Sequence, residues 1–467
     1  MNAADPISEL DALIARSRAA QAEYEAAGSQ DRYDRAAQAV GWAIMEPTHN
    51  RALAELAVET TGLGNVPDKI TKNHRKTLGL LRDIQGVVTH GVIHEDAETG
   101  ITAIARPKGL VGAIVPSTNP AATPANNIIN ALKCGNSIVV APSPKGVASC
   151  ELLLNYIHAE FAKISENPDL VLMVPAPGSK DKTQRLMEIC DMIVATGSQN
   201  NVHRAQTSGT PAVAVGAGNV TVIVDETADL TAAAEKIRAS KTFDNATSCS
   251  SENSVVVVDV VRDEFIGAMA KAGGALVEDE AAIVAALWPD GHLNRQVIAQ
   301  DADKMIAALG LEHQVPKGTD YIVVPTHGIG PNYPLSGEKL SRVLALYRAT
   351  DFEDAMRITA EIQAFQGAGH SVGLHSSDAA RPIELAQAIP TSRVIVNQAH
   401  TFATGGSFTN GMPFSLSMGC GSWGGNAVDE NVHWKHFLQS TKIVREIPPC
   451  EPSLDDIFAD YWQSAGK

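Results

Sequence analysis

The stretch from Leu110 to Gly146, "LVGAIVPSTNPAATPANNIINALKCGNSIVVAPSPKG", decides how this chain folds. Two short apolar runs, LVGAIVPS and SIVVAPS, enclose a stretch with helical spacing, ATPANNIINALKCG. Runs without a polar face suit strands covered on both sides, and a helix between two such strands brings the chain back parallel. The pattern continues outward. LVLMVP, MIVATGS and VTVIVDE read as further buried strands, with KDKTQRLMEIC as a helix among them. Upstream, GVVTHGVIHEDAETGITAIARPKG alternates polar and apolar residues around the turn signal DAETG, which predicts a β-hairpin. Before it, Ile7 to Leu81 is rich in Ala, Glu, Arg and Leu and reads as mostly helical. A second α/β region runs from Leu230 to Val396, with TAAAEKIRASKTF and FEDAMRITAEIQAF as helices and SVVVVDVV, YIVVPT, SVGLHS and RVIVNQ as strands. The whole predicts an α/β protein built on parallel sheets with helices on both faces. HTFATGGSFTNGMPFSLSMGCGSWGGN has no periodicity, and its aromatics argue for an ordered functional segment.

Composition narrows the class. The chain has 467 residues, 44% hydrophobic and 19% charged, with a formal net charge of -16. That length supports two or three cores of about 150 residues each. The acidic balance disfavours nucleic acid and anionic membranes as partners. The N-terminus lacks a secretory apolar core, and no run is long enough to span a bilayer. Six cysteines (Cys134, Cys150, Cys190, Cys249, Cys420, Cys450) form no CxxC and no disulfide framework, so a cytoplasmic protein is expected.

The residues that carry chemistry are few. The one GxGxxG match, GCGSWG at Gly419 to Gly424, has no strand running into it and no apolar helix after it, so it is not read as a dinucleotide loop. MIVATGSQNNVHRAQ fits better: a strand ends at Ala195 and passes through Thr196, Gly197 and Ser198 into a helix whose N-terminus attracts a pyrophosphate. Asn119, at a strand end before Pro120, is either a turn initiator or an amide donor aimed at an oxyanion. Cys249, in TFDNATSCSSENSVVVVD, is either a small apolar filler or a nucleophile. His90, His94 and Glu95 have metal-like spacing but fall on the exposed hairpin, and His433 and His436 are expected in a packed C-terminal helix, so no metal site is expected.

Read in order, NPAATPANN, ALKCGNSIVVAPSP, ATGS, PAVAVGAGNV, CSSENSVVV, LSGEKLSRVLALY, GAGHSVGLHS, TSRVIVNQ, GGSFTNG and GCGSWGGN resemble the aldehyde dehydrogenase superfamily over nearly the whole chain, in particular its CoA-acylating branch. The resemblance implies two α/β domains with parallel-rich sheets plus a small β oligomerisation arm. Residues 1–225 would bind the cofactor, with the arm at about 86–106. Residues 226–425 would be catalytic, and 426–467 would pack on the interface of a homodimer or homotetramer. It makes Cys249 the nucleophile and Asn119, with the backbone N–H of Cys249, the oxyanion hole. Ser143, Lys145, Thr196, Gly197, Ser198, Gly216 and Gly218 would surround the cofactor, and Glu338 would hold the nicotinamide ribose. His370 matches the branch without an assigned role.

One departure is informative. Hydrolytic members carry a glutamate that activates water on the thioester; here the matching stretch is VGAGN, with Val215 in its place. Valine takes no proton, so a thiol must release the acyl group, and coenzyme A is the branch's answer. After SIVVAPSPKG, Ala141 and Pro144 replace a lysine and a glutamate found near the adenosine ribose in many NAD enzymes of the superfamily. With the acid gone, Ser143 and Lys145 suit a 2′-phosphate, which favours NADP and leaves NAD open. NQAHTFATGGSFTNGMPFSLSMG resembles the acylating enzymes that act on sulfoacetaldehyde, and after them those for succinate semialdehyde and acetaldehyde. A sulfonate needs several donors; His400, Thr401, Thr404 and Ser407 offer them, and His203 or Arg204 would add charge. A water-using dehydrogenase and a non-catalytic binding or shell-associated protein are the competing readings.

Overall fold

The computed structural model describes residues 6–466. It opens with α1 (Pro6–Ala26), α2 (Gln30–Met45), α3 (Pro47–Thr61) and α4 (Val66–Ile84), as the Ala- and Leu-rich stretch predicts. Their limits are written locally. Ser29 and Asn65 accept the backbone N–H groups of Arg32 and Asp68 at the starts of α2 and α4, and Gly62, at φ 71°, ends α3 in the left-handed conformation. The predicted hairpin follows as β1 (Val92–Asp96) and β2 (Ile101–Pro107), paired antiparallel.

The deciding stretch is β3 (Leu110–Val115), α5 (Ala122–Lys133) and β4 (Ser137–Pro142). After α6 (Val147–Ile164) come β5 (Val171–Met173), α7 (Lys180–Ile189), β6 (Met192–Ala195), α8 (Gln199–Thr207) and β7 (Ala212–Ala214). These strands form a parallel five-stranded sheet of order β5-β4-β3-β6-β7. Every residue of β3 is buried, as a central strand covered on both faces requires. The winding reverses at β3, and the loops after β3 and β6 diverge there to leave a crevice.

The second sheet begins at β8 (Val220–Val224) and continues through α9 (Leu230–Thr242), β9 (Glu252–Val258), α10 (Arg262–Lys271), β10 (Gly274–Leu276), α11 (Glu280–Leu287), α12 (Ala302–Ala308), β11 (Tyr321–Pro325), β12 (Val343–Ala349), α13 (Phe352–Phe365), β13 (Val372–His375), α14 (Arg381–Ala388) and β14 (Val394–Val396). Its seven strands are parallel, in the order β10-β11-β12-β9-β8-β13-β14. The sequence boundary at residue 225 is thereby corrected: β8 pairs with β9 and β13, so the chain changes sheets between Ala214 and Val220. VTVIVDE is apolar on both faces, and such a run fits either sheet equally well.

Beyond β14, α15 (His400–Ala403) is one turn inside a long irregular segment, followed by β15 (Leu438–Val444) and α16 (Leu454–Ser464). β15 pairs along the whole of β2 and completes a three-stranded arm with the hairpin. The HWKH segment is a 3₁₀ turn, Trp434–Phe437, entering β15, and not the expected helix. Its neighbour Glu430 places Oε2 3.4 Å from His433 Nε2 and Oε1 3.4 Å from His436 Nε2. Among the described residues no helix is long and apolar enough to cross a membrane.

Candidate active site

A cavity of about 400 Å³ lies between the two sheets, at the crevice made by the reversal at β3. Cys249 reaches it on the loop between α9 and β9. That loop starts with three consecutive non-glycine residues in the left-handed region, Asp244, Asn245 and Ala246, at φ 48°, 55° and 60°. Each costs of the order of 1 kcal/mol or more and persists only where its surroundings hold it. Here the holding groups are explicit. The Asp244 carboxylate accepts from Lys72 at 2.5 Å, Lys69 at 3.2 Å, the Thr247 hydroxyl at 2.8 Å and the Asn65 backbone N–H at 3.0 Å. Asn245 Oδ1 accepts from Arg342 Nη2 at 2.6 Å. The loop is thus clamped between α4 and the second sheet, with Cys249 half-buried at its turn.

Asn119 follows β3. Its Oδ1 accepts from Lys72 Nζ at 2.9 Å, and an ammonium only donates. The amide nitrogen therefore faces the cavity, where its one contact is Thr118 Oγ1 at 3.5 Å. Lys72 touches Asn119 and Asp244 together, so one side chain orients both the Asn119 amide and the Cys249 loop.

Electrostatics hold the free site in its protonated forms. Burial, and then the charge of Glu338, push the Cys249 thiol up to about 12, against the opposing pull of Arg393. Glu338 lines the same cavity and is pushed up to about 7 by burial, with Lys241 and Lys339 pulling the other way. It is the only carboxylate on the cavity wall among the described residues. Val215 occupies the wall as a nearly buried apolar residue.

The cofactor residues divide. Thr196, Gly197, Ser198 and Gly216 line the cavity, with Gly197 at φ 137° and Ser198 capping α8. Gly218 does not line it. A Cβ there would stand 2.2 Å from the Cys249 carbonyl oxygen, so its bareness lets the Cys249 loop pass close by. A second cavity of about 660 Å³ opens beside the ends of β3 and β4, lined by Ser143, Lys180, Thr183, Ser198, Asn201 and Arg204. The Ser143 hydroxyl is buried there with no partner, an orphan that a bound polar group would satisfy. Lys145 turns away, towards the Thr61 carbonyl at 3.4 Å, and this corrects its expected place beside the cofactor.

On the aldehyde side only Thr401 of the expected donors reaches the cavity, with its hydroxyl buried and unpartnered. His400 is buried behind it, with Nε2 2.9 Å from Ser371 Oγ. Thr404 bonds the His400 carbonyl at 2.9 Å, and Ser407 pairs with Thr409 at 2.9 Å. None of these three lines the cavity. Arg204 lies on the second cavity, bonded to the Lys180 carbonyl at 2.7 Å and Gln184 at 3.1 Å, and not on the aldehyde side. His203, on the same helix, is exposed and outside the cavity. His370 is buried with Nδ1 2.7 Å from Ser371 Oγ; burial, and then the charge of Arg393, push it down to about 3.

The sequence reading missed Lys72, Arg75 and Lys76, which α4 sends into the cavity wall. Their signal is the spacing in KITKNHRK: Lys69, Lys72 and Lys76 share one helix face.

Comparison with known proteins agrees with this geometry. Residues 3–436 match the model of the aldehyde dehydrogenase family. The chain is 55% identical over 458 residues to a sulfoacetaldehyde dehydrogenase (acylating) of Cupriavidus necator, covering 98% of this chain and 93% of the relative. Its fold matches the crystal structure of an acetylating aldehyde dehydrogenase from Geobacillus thermoglucosidasius, with TM-score 0.91, 29% identity and coverage of 96% and 98%. It also matches a propionaldehyde dehydrogenase of Rhodopseudomonas palustris solved with bound propionyl-CoA, with TM-score 0.84, 25% identity and coverage of 93% and 94%. A loop cysteine and an inward-facing amide at the meeting of two parallel sheets thus have their counterpart in a known lineage, and the chain belongs to the aldehyde dehydrogenase family, in its acylating branch.

Proposed function

We propose that the protein oxidises sulfoacetaldehyde to sulfoacetyl-CoA, with NADP as hydride acceptor and coenzyme A as acyl acceptor. The observation that carries this reading is that Cys249 and the Asn119 amide share a cavity whose wall bears Val215 where a hydrolytic base would stand. The Cys249 sulfur attacks the aldehyde carbon. The oxygen that becomes negative accepts hydrogen bonds from the Asn119 amide and the Cys249 backbone N–H, and removing one such donor typically costs about 10²–10³ in rate. The bound nicotinamide supplies the acceptor for the hydride that leaves this carbon. Cys249 is left as a thioester, and Val215, at the place of the hydrolytic glutamate, takes no proton from a water that would attack it. The thiol of coenzyme A then bonds the acyl carbon, and Cys249 departs with its electron pair. One aldehyde, one coenzyme A and one oxidised nicotinamide give the acyl-CoA, the reduced nicotinamide and a proton.

NADP is favoured over NAD by the second cavity. Ser143, Lys180 and Arg204 line it and no carboxylate does, so a 2′-phosphate finds donors without repulsion. The substrate assignment draws on the similarity to the sulfoacetaldehyde enzyme of Cupriavidus necator. The absence of disulfides among its cysteines fits work in a reducing cytoplasm.

The test is reduced-nicotinamide formation by purified protein with sulfoacetaldehyde and NADP, with and without coenzyme A. Strict dependence on coenzyme A, abolished in Cys249→Ala, is expected. Equal rates without coenzyme A overturn the acylating chemistry. Coenzyme A-dependent turnover of other aldehydes but not of sulfoacetaldehyde overturns the substrate.

A further inference from the structure

We propose that Arg75 and Lys76 of α4, with the Thr401 hydroxyl, form the receptor for the substrate's sulfonate and thereby set the enzyme's choice of aldehyde. The proposal rests on the reading that the substrate is sulfoacetaldehyde and assigns that selectivity to residues.

The four cations that α4 sends towards the site fall into two kinds. Lys69 and Lys72 share an ion pair with the Asp244 carboxylate. Arg75 and Lys76 form no ion pair among the described residues. Lys76 Nζ donates only to the carbonyls of Gly405 at 2.5 Å and Ser415 at 3.1 Å. Arg75 Nη2 donates to those of Phe402 at 2.7 Å and Gly406 at 3.2 Å. The Arg75 guanidinium also lies 5.1 Å from the centre of the Phe402 ring and 5.5 Å from that of Phe414. Carbonyl dipoles and ring faces orient cations without cancelling their charge. Two basic side chains therefore face one cavity; burial disfavours the charged form of each, and for Lys76 the neighbouring Arg75 and Lys72 add to it. An anion in the cavity resolves the conflict.

The place is built for these groups. A Cβ on Gly405 would stand 2.4 Å from Lys76 Nζ, so the glycine leaves the room that the ammonium occupies. Arg75 has N–H groups to spare, Lys76 keeps one of its three, and the Thr401 hydroxyl is buried with no partner. Three donor groups meet the three oxygens of a sulfonate. Because the same cavity holds Cys249 and measures about 400 Å³, a small aldehyde bonded to Cys249 would bring its own anion to these groups.

The test uses the full chain and two readouts. Ethanesulfonate, which has the anion but no aldehyde, is titrated calorimetrically into the wild type, Lys76→Met, Lys76→Gln and Arg75→Gln. Beside this, the selectivity ratio is measured: kcat/KM for sulfoacetaldehyde over that for propionaldehyde, with NADP and coenzyme A. Each substitution is expected to weaken ethanesulfonate at least about tenfold and to lower the ratio about 100-fold. Unchanged ethanesulfonate affinity in a variant with wild-type circular dichroism overturns the proposal, as does an equal fall in kcat/KM for both aldehydes. The glutamine variant of Lys76 serves if the methionine variant does not fold. If the wild type binds ethanesulfonate through Lys76 but oxidises no sulfoacetaldehyde, the substrate reading fails and the anion receptor stands.

Discussion

Cys249 is a poor nucleophile in the free protein, and its neighbours are the reason. Burial is the larger cause, and the Glu338 charge on the same cavity is the next. Because the thiol is pushed up to about 12, the thiolate fraction at neutral pH is small and rises with pH through the whole working range. Glu338, pushed up to about 7, becomes charged within that range and then holds the thiol protonated more firmly. The sign follows. Alkylation of Cys249 by iodoacetamide, followed by mass spectrometry of its peptide, should rise about tenfold per unit from pH 7 to 9 without levelling off. Glu338→Gln should speed alkylation above pH 7, where it removes a negative charge, and leave the rate unchanged near pH 5.5, where the wild-type carboxyl is already neutral. A plateau in the wild type below pH 8, or slower alkylation in the variant above pH 7, would contradict this account. The identity of Cys249 and Asn119 was legible because motifs name residues. The resting state of the thiol was not, since it depends on which charges the fold brings within reach, and Glu338 lies in a different segment of the chain.

Helix α4 shows where legibility ends at the scale of an element. Its helical character was readable within the stretch from Ile7 to Leu81, but a lysine stripe on a helix ordinarily faces water. Only the tertiary structure turns this one inward, because its partners Asp244 and Gly405 lie 172 and 329 residues from the lysines that bond them. The converse error befell Thr404 and Ser407, whose hydroxyls bond close by in sequence, and His400, which turns to Ser371 and away from the cavity. The irregular segment therefore contributes mainly backbone carbonyls and the Thr401 hydroxyl, a division that residue type alone does not reveal. A test at this scale separates two lysines of the one stripe. Lys72 bonds Asp244 and Asn119, whereas Lys69 bonds Asp244 and the Thr118 carbonyl. Lys72→Met should lower kcat about 100-fold, because the Asn119 amide loses its orientation, and lower Tm by about 5 °C, because Asp244 loses a buried partner. Lys69→Met should lower Tm by a similar amount with a much smaller loss of kcat. Equal kcat losses in the two would show that both act only through the clamp on Asp244.

For the whole molecule, the two parallel sheets follow from the order of apolar strands and helices, and the structure bears them out; the strand order adds the crevice at the reversal of β3. The same order leaves one region without a partner inside the chain. β15 forms an edge of the arm and is exposed from Gln439 onward, with Val444 71% exposed. On α16, Leu454, Ile457, Phe458 and Tyr461 fall at i, i+3, i+4 and i+7, an apolar stripe of the kind that ordinarily faces a core. Here Leu454 is 66% and Tyr461 65% exposed. The capping box at Ser453 and Asp456 fixes the start of α16, so the stripe is presented by a formed helix. An unpaired strand edge and the apolar stripe that follows it in the chain are costly to leave in water, and a second copy of the chain offers the same pair of features in return. The protein should therefore run in light scattering at two or four times the 49.3 kDa subunit mass. Leu454→Asp combined with Ile457→Asp puts two charges into the stripe and should shift the mass to a smaller species, while the far-ultraviolet circular dichroism stays unchanged. A double variant that keeps the wild-type mass would mean that subunits meet elsewhere, and a wild type at the subunit mass would mean that the arm and its stripe face solvent.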